Sequence, residues 1–100
     1  MTMLLQATTK LEDLTVLREA LDWLGEVVGH AEGLLSLRVF QDQSDPSRVT
    51  MLEEWESAEA FQASFVSYSV EQRGEFLARL GLTADSFERA LWQSTGIEFP

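Results

Sequence analysis

The chain of 100 residues has no cysteine and a single histidine, His30. Without thiols it cannot form disulfides, thiolate nucleophiles, cysteine-ligated zinc sites or iron–sulfur clusters. His30 follows the first predicted helix and has no second ligand at the spacing of a metal site, so we interpret it as a solvated residue at a helix end. We therefore expect the protein to use neither a metal nor a cofactor.

Basic residues are also scarce. The chain has 7 Lys and Arg against 17 Asp and Glu, which gives a formal net charge of −10. The basic residues occur singly and form no stripe that could neutralise a row of phosphates. The charge balance therefore predicts that neither a nucleic acid nor an anionic membrane is a partner.

Long apolar runs and nucleotide-binding motifs are missing as well. No stretch approaches the roughly 18 apolar residues that cross a bilayer, and residues 1–9 lack the basic start of a secretory signal. These absences predict a cytoplasmic protein. Glycine-rich phosphate-binding motifs and the G-x-S-x-G nucleophile motif do not occur, so nucleotide binding and serine hydrolysis gain no support.

The chain does carry enough apolar surface for a packed core. Apolar residues make up 45% of the sequence and aromatic residues 10%. A chain of this length is near the common size of one folding unit. We therefore predict a single domain spanning residues 1–100.

Hydrophobic periodicity predicts the order strand, helix, strand, strand, helix in two pieces, strand. The first helix carries Leu14, Leu17, Leu21, Leu24 and Val28 on one continuous face. The other predicted elements are strands at 3–8, 33–40 and 49–55, a helix capped by Ser57, and a further helix with a Ser69–Gln72 capping box.

Residues 83–94 fit two patterns. Phe87, Ala90 and Leu91 follow helical spacing, whereas alternate residues from Leu91 to Ile97 fit one face of a strand. Local pattern slightly favours the helix, but we predict a strand because the other elements then complete a ferredoxin-like α+β fold of order βαββαβ. Such a sheet leaves one face bare, which predicts that a second copy covers it.

Residues 33–65 carry the most specific pattern: a glycine-led strand, a polar turn with Asp-Pro, a strand ending in Glu53-x-Trp55, and a helix led by Ser57. This pattern resembles the antibiotic biosynthesis monooxygenase family. The resemblance implies a homodimer whose two sheets face each other as an α+β barrel. It also implies a pocket in each subunit between the sheet and the helices.

The resemblance further implies a cofactor-independent oxygenase that acts on small aromatic phenols or quinols. The residues expected to bind such a substrate are the pocket walls Trp55, Phe61 and Phe65 and the hydrogen-bond donors Gln6, Arg38 and Tyr68. The alternative is a non-enzymatic dimer on the same scaffold, which binds a small apolar ligand or serves another protein as an accessory.

Ser64 is a departure from the family. Family members often carry a histidine at this position, which can act as a base. Haem-degrading relatives place an iron-binding histidine on the helix after the strand tryptophan, whereas no histidine follows position 30 here. The sequence thus lacks both the haem ligand and the expected base, and this favours the non-enzymatic alternative.

Glu53 and Trp55 each allow a structural and a functional role. Trp55 ends a strand just before a helix, so we predict a core anchor between the two, and the alternative is a pocket wall. We expect Glu53 either to pair with an arginine of the neighbouring strand, where Arg38 is available, or to cap a dimer contact. The alternative is a buried acid with a raised pKa.

Overall fold

The computed structural model describes residues 1–67 and 69–100, with the side chains of all but residues 65–67. The elements are β1 (Met3–Lys10), α1 (Leu14–Val28), β2 (Leu34–Gln41), β3 (Arg48–Trp55), α2 (Ala58–Ser67), α3 (Val70–Leu80), a 3-10 turn (Ala84–Ser86) and β4 (Glu88–Gln93). The order is βαββαβ with the second helical region in two pieces, so the predicted ferredoxin-like α+β fold is confirmed. No helix within the described ranges is long and apolar enough to cross a membrane.

Local sequence explains where the helices begin. The Asp13 carboxylate accepts a hydrogen bond from the Thr15 backbone N–H at 2.9 Å and caps α1. The Ser57 hydroxyl accepts one from a backbone N–H in the first turn of α2 at 3.0 Å. Ser69 and Gln72 form a reciprocal capping box at the start of α3. Each bond satisfies an N–H that has no partner within its helix, and the two predicted caps at Ser57 and Ser69 are confirmed.

The four strands form one antiparallel sheet in the order β2-β3-β1-β4. Paired residues share a sheet face, so the register fixes which side chains lie together. A bulge between Leu34 and Ser36 interrupts the alternation of β2. Strict alternation would put Leu34 and Arg38 on the same face of the sheet. In the structure Leu34 is paired with Trp55 and Arg38 with Leu52, so the two residues lie on opposite faces.

The helices pack on one face of the sheet and form the core there. Ala7 on β1 is paired with Met51 on β3, and Leu17 and Ala20 of α1 lie against them. The buried core residues are Ala7, Leu11, Leu17, Ala20, Val49, Met51 and Leu80. We call this side of the sheet the helix face and the opposite side the outer face.

The last segment contains a strand, as predicted, but the strand ends at Gln93 and does not reach Thr95 and Ile97 of the predicted pattern. After the turn at Ala84–Ser86, β4 pairs antiparallel with β1 from Thr8–Glu88 to Met3–Gln93. The free edge of β1 supplies backbone hydrogen bonds over this whole length. These bonds outweigh the local helical spacing of Phe87 to Leu91, because strand formation depends strongly on tertiary context.

Candidate functional site

A cavity of about 610 Å³ lies between the helix face of the sheet and the three helices. This volume falls within the range of roughly 300–1,000 Å³ that is usual for small-molecule sites. Apolar side chains from all four strands and from the helices form most of its wall. Among the described residues, the polar side chains that line it are those of Glu53, Ser64, Arg73 and Arg89. A mostly apolar wall with a few polar groups suits an aromatic ligand that carries one or two polar substituents.

Trp55 forms one wall of this cavity and is also part of the packing beneath it. Its side chain is 3% exposed. Its ring meets the ring of Phe61 edge to face, with centroids 5.6 Å apart and an interplanar angle of 68°. Both rings line the cavity. The predicted burial of Trp55 between sheet and helix is confirmed, and the same residue offers an aromatic surface to a ligand.

Glu53 lies two residues before Trp55 on the same face of β3. The Trp55 indole Nε1–H donates a hydrogen bond to Glu53 Oε1 at 2.9 Å. The cross-strand neighbours of Glu53 are the apolar residues Leu5 and Leu37. Burial raises the pKa of Glu53, and the Trp55 hydrogen bond and the charge of Arg89 partly oppose that rise. The cavity therefore holds a carboxyl group that protonates more readily than an exposed one.

The expected pair between Glu53 and Arg38 is wrong. Arg38 is paired with Leu52 in the register of β2 and β3, whereas Glu53 is paired with Leu37. Successive residues of a strand point to opposite faces, so Arg38 lies on the outer face. There its guanidinium sits over the ring of Phe40, 5.5 Å from the ring centroid.

Ser64 lines the cavity from α2, and its hydroxyl is already engaged. The Ser64 Oγ–H donates to the Phe61 carbonyl oxygen at 2.6 Å, one turn back in the same helix. Such a bond is common for serine within helices. A neutral hydroxyl is a very weak base, so this side chain does not replace, as a proton acceptor, the histidine that the family resemblance leads one to expect.

The structure brings together only some of the predicted binding residues. Trp55 and Phe61 meet at the cavity, but Gln6 and Arg38 do not line it. Gln6 lies on the outer face, where its Oε1 accepts a hydrogen bond from the Trp92 indole N–H at 3.3 Å. Two further predicted positions lie outside the described part of the chain, namely the Phe65 side chain and Tyr68.

Sequence reasoning missed Arg73 and Arg89, which supply the positive charge in the cavity wall. Arg89 is paired with Ala7 of β1, so it lies on the helix face. Arg89 lies two residues before Leu91, so strand alternation puts both on the same face. The sequence could have predicted this position of Arg89 once β4 was assigned as a strand. Arg73 shares the buried face of α3 with Leu77 and Leu80, a spacing that the sequence also contains.

The raised pKa of Glu53 predicts a pH-dependent stability. The ordinary value is 4.5, so between that pH and the raised pKa the folded protein binds more protons than the unfolded chain. Stability should therefore fall as pH rises through this window. Glu53→Gln removes the ionisation and keeps an acceptor for Trp55, so its melting temperature should exceed that of wild type at pH 8 and converge with it near pH 4.

Calorimetric scans from pH 4 to pH 8 measure this difference. Glu19→Gln is the matched control, because Glu19 is an exposed residue of α1 and does not line the cavity. It should show no comparable gain at pH 8. A Glu53→Gln variant that is no more stable than wild type at any pH would show that burial of this carboxylate carries no energetic penalty.

Residues 2–75 match the family model of antibiotic biosynthesis monooxygenase. No curated protein matches the chain. Among solved structures, a candidate antibiotic biosynthesis monooxygenase from Deinococcus radiodurans is similar, with a TM-score of 0.70 and 18% identity, over 98% of this chain and 97% of that one. These values show a shared fold across almost the full length of both chains.

Two further structures have the same fold. A variant of SnoaB, a cofactor-independent oxygenase from Streptomyces nogalater, gives a TM-score of 0.68 at 9% identity over 96% of this chain and 94% of that one. A monooxygenase from the gene ActVA-Orf6 of Streptomyces coelicolor, in complex with nanaomycin D, gives a TM-score of 0.67 at 17% identity. The alignment covers 98% of this chain and 91% of that one. Because the family model covers most of its length, the chain belongs to the antibiotic biosynthesis monooxygenase family.

Proposed function

We propose that the protein is a cofactor-independent monooxygenase that acts on small aromatic phenols or quinols. The cavity of about 610 Å³, walled by the edge-to-face pair of Trp55 and Phe61, is the observation that carries this proposal. It matches the size and character of a flat aromatic ligand. Two relatives of the same fold support it, one a cofactor-independent oxygenase and the other a monooxygenase in complex with nanaomycin D.

The reaction needs no electron donor other than the substrate. A phenol with a free para position takes one atom of molecular oxygen to become a quinone, and the second oxygen atom leaves as water with the two hydrogens the phenol loses. The ionised phenol is the electron-rich form that passes an electron to oxygen. Arg73 and Arg89 in the cavity wall favour that ionised oxygen, and the apolar remainder of the wall excludes water from it.

An oxygen electrode tests this function directly. Purified protein is mixed with a panel of naphthols and naphthalenediols, and we expect oxygen uptake above autoxidation together with an equal amount of quinone. A chelator should leave the rate unchanged, and the corresponding methyl ethers, which cannot ionise, should give no uptake. Ligand binding without uptake across the whole panel would contradict the proposal.

Ligand binding without oxygen uptake is the result expected for the alternative, a non-enzymatic dimer that binds a small apolar ligand or assists another protein. The bond from Ser64 to the Phe61 carbonyl favours it, because the family's basic residue is replaced by a hydroxyl that is engaged within its own helix. The oxygen electrode and a binding titration with the same compounds separate the two functions.

We further propose that the protein works as a homodimer formed through the outer face of the sheet. Apolar residues there remain open to solvent in the single chain: Phe40 is 47% exposed and Trp92 is 56% exposed. Leu4 and Leu52 lie between them on the central strands. Large apolar side chains left exposed on a sheet face are usually covered by another protein surface.

Sedimentation equilibrium at micromolar concentration should therefore give about twice the chain mass of 11.3 kDa. Trp92→Glu should shift the protein toward the monomer, because it places a charge in the proposed interface. Val70→Glu is the control, since Val70 is 82% exposed on α3, away from the outer face. Wild type that sediments as a monomer at all concentrations would contradict the dimer.

A further inference from the structure

Glu53 is the one carboxyl group that lines the cavity among the described residues. An ionised carboxylate accepts about four hydrogen bonds, yet Glu53 has a single hydrogen-bond partner in the described structure, the Trp55 indole. It forms no ion pair within that part of the chain either. Most of its accepting capacity is therefore available to a ligand in the cavity.

The surroundings of Glu53 hold the carboxyl group in place. The indole N–H of Trp55 binds Oε1, and Leu5 and Leu37 flank the residue on the neighbouring strands. The other charged groups that face the cavity are Arg89 from β4 and Arg73 from α3, while α1 contributes apolar residues and α2 contributes Phe61 and Ser64. A fixed acceptor in a mostly apolar wall can discriminate strongly between ligands that donate a hydrogen bond and ligands that do not.

We propose that the Glu53 carboxylate accepts the hydrogen bond of the substrate hydroxyl, so that the cavity selects hydroxyl-bearing aromatic compounds over their ethers. The ligand ring packs against Trp55 and Phe61, and its hydroxyl meets the carboxylate that Trp55 orients. This inference rests on the proposed function, because it concerns the same cavity and the same class of substrate.

The arrangement also supplies the proton acceptor that Ser64 does not provide. When the substrate O–H bond breaks, its electron pair stays on the substrate oxygen and its proton forms an O–H bond with Glu53. Arg89 and Arg73 then face the new negative charge on the ligand. Glu53 then passes this proton to the departing oxygen atom, which takes the ring C–H proton as well and leaves as water, so the carboxylate is restored after each turnover.

The test uses two probes, 2-naphthol and its methyl ether 2-methoxynaphthalene, titrated into the purified full chain by calorimetry. At pH 8 the naphthol is still mostly neutral, since phenols ionise near pH 10. Wild type should bind the naphthol roughly tenfold or more tightly than the ether, as expected for one hydrogen bond to a charged group. Glu53→Gln should reduce that preference to about threefold or less, because a neutral acceptor forms the weaker bond.

A pH series on wild type needs no variant at all. The preference should decline as the pH is lowered from 8 and Glu53 takes up a proton, whereas in Glu53→Gln it should stay constant. Glu19→Gln, at an exposed position of α1 outside the cavity, should behave as wild type in both measurements. A thermal melt of each variant confirms that the protein is folded during the titrations.

Wild type that binds both probes equally at pH 8, or that binds neither, overturns the inference. So does a preference that survives in Glu53→Gln or does not change with pH. The two proposals fail differently: a pH-dependent naphthol preference without oxygen uptake contradicts the oxygenase alone. Oxygen uptake that Glu53→Gln leaves intact, with no hydroxyl preference, contradicts the role of Glu53 alone.

Discussion

Trp55→Ala should lower the melting temperature of this protein by well over ten degrees. The side chain is 3% exposed, packs edge to face on Phe61 of α2, and donates its N–H to Glu53. Removing a tryptophan from a core commonly costs about 3–5 kcal/mol. For a domain of this length each kcal/mol is worth roughly 4–8 °C, and the whole stability is only about 5–15 kcal/mol. The variant should therefore lie close to the limit of folding.

Trp55→Phe is the matched control for this large effect. It keeps most of the apolar volume and the contact with Phe61 but removes the indole N–H, so it should lose much less stability than the alanine variant. Thermal melts followed by far-UV circular dichroism compare the three proteins without relying on tryptophan fluorescence. If Trp55→Ala melts within a few degrees of wild type yet no longer binds naphthol, Trp55 is a pocket wall and not a core anchor.

The sequence predicts most of the fold because the informative features are local. The helix caps at Ser57 and Ser69 depend on residues within one turn, and both are present in the structure. The alternation of Glu53 and Trp55 depends only on the strand period, and these residues do share a face. Features of this kind are fixed by neighbours in the chain, so a sequence pattern is sufficient to find them.

The position of Arg38 shows where such local reasoning stops. Alternation shows which residues of one strand share a face. Only the register of the β2–β3 hairpin decides whether Arg38 and Glu53, on different strands, lie on the same face. The register pairs Arg38 with Leu52, and a slip of one residue would have reversed the result. Leu52 is also the cross-strand partner of Gln6. The register therefore puts two predicted site residues, Gln6 and Arg38, on the outer face.

Arg89 was missed for a different reason. It becomes a cavity residue only because β4 pairs with β1, at the other end of the chain, in a register that sets Arg89 beside Ala7. The local spacing of this segment slightly favours a helix, in which Arg89 would point elsewhere. Electrostatics of the cavity thus depend on a long-range pairing that short-range patterns do not encode.

Gly33→Ala should destabilise the protein about as much as the loss of Trp55. Gly33 precedes β2 with a φ of +87°, and an added Cβ would lie 2.5 Å from the Ala60 Cβ in α2. Its carbonyl oxygen also accepts the Glu56 backbone N–H at 2.9 Å, so the backbone cannot move away without losing that bond. A left-handed conformation costs a non-glycine residue roughly 1–2 kcal/mol, and overpacking adds about 1–3 kcal/mol. The melting temperature should fall by about ten degrees or more.

Two further variants separate the backbone cost from the steric cost. Gly81 also has a positive φ, of +70°, but nothing lies within 4 Å of its added Cβ. Gly81→Ala should therefore pay only the backbone cost and melt well above Gly33→Ala. Adding Ala60→Gly to Gly33→Ala removes the clashing methyl group and should recover part of the loss, although glycine within a helix itself costs about 1 kcal/mol. A double-mutant cycle over these positions gives the coupling energy. A coupling of zero, with Gly33→Ala no worse than Gly81→Ala, would mean that α2 does not pack against the start of β2.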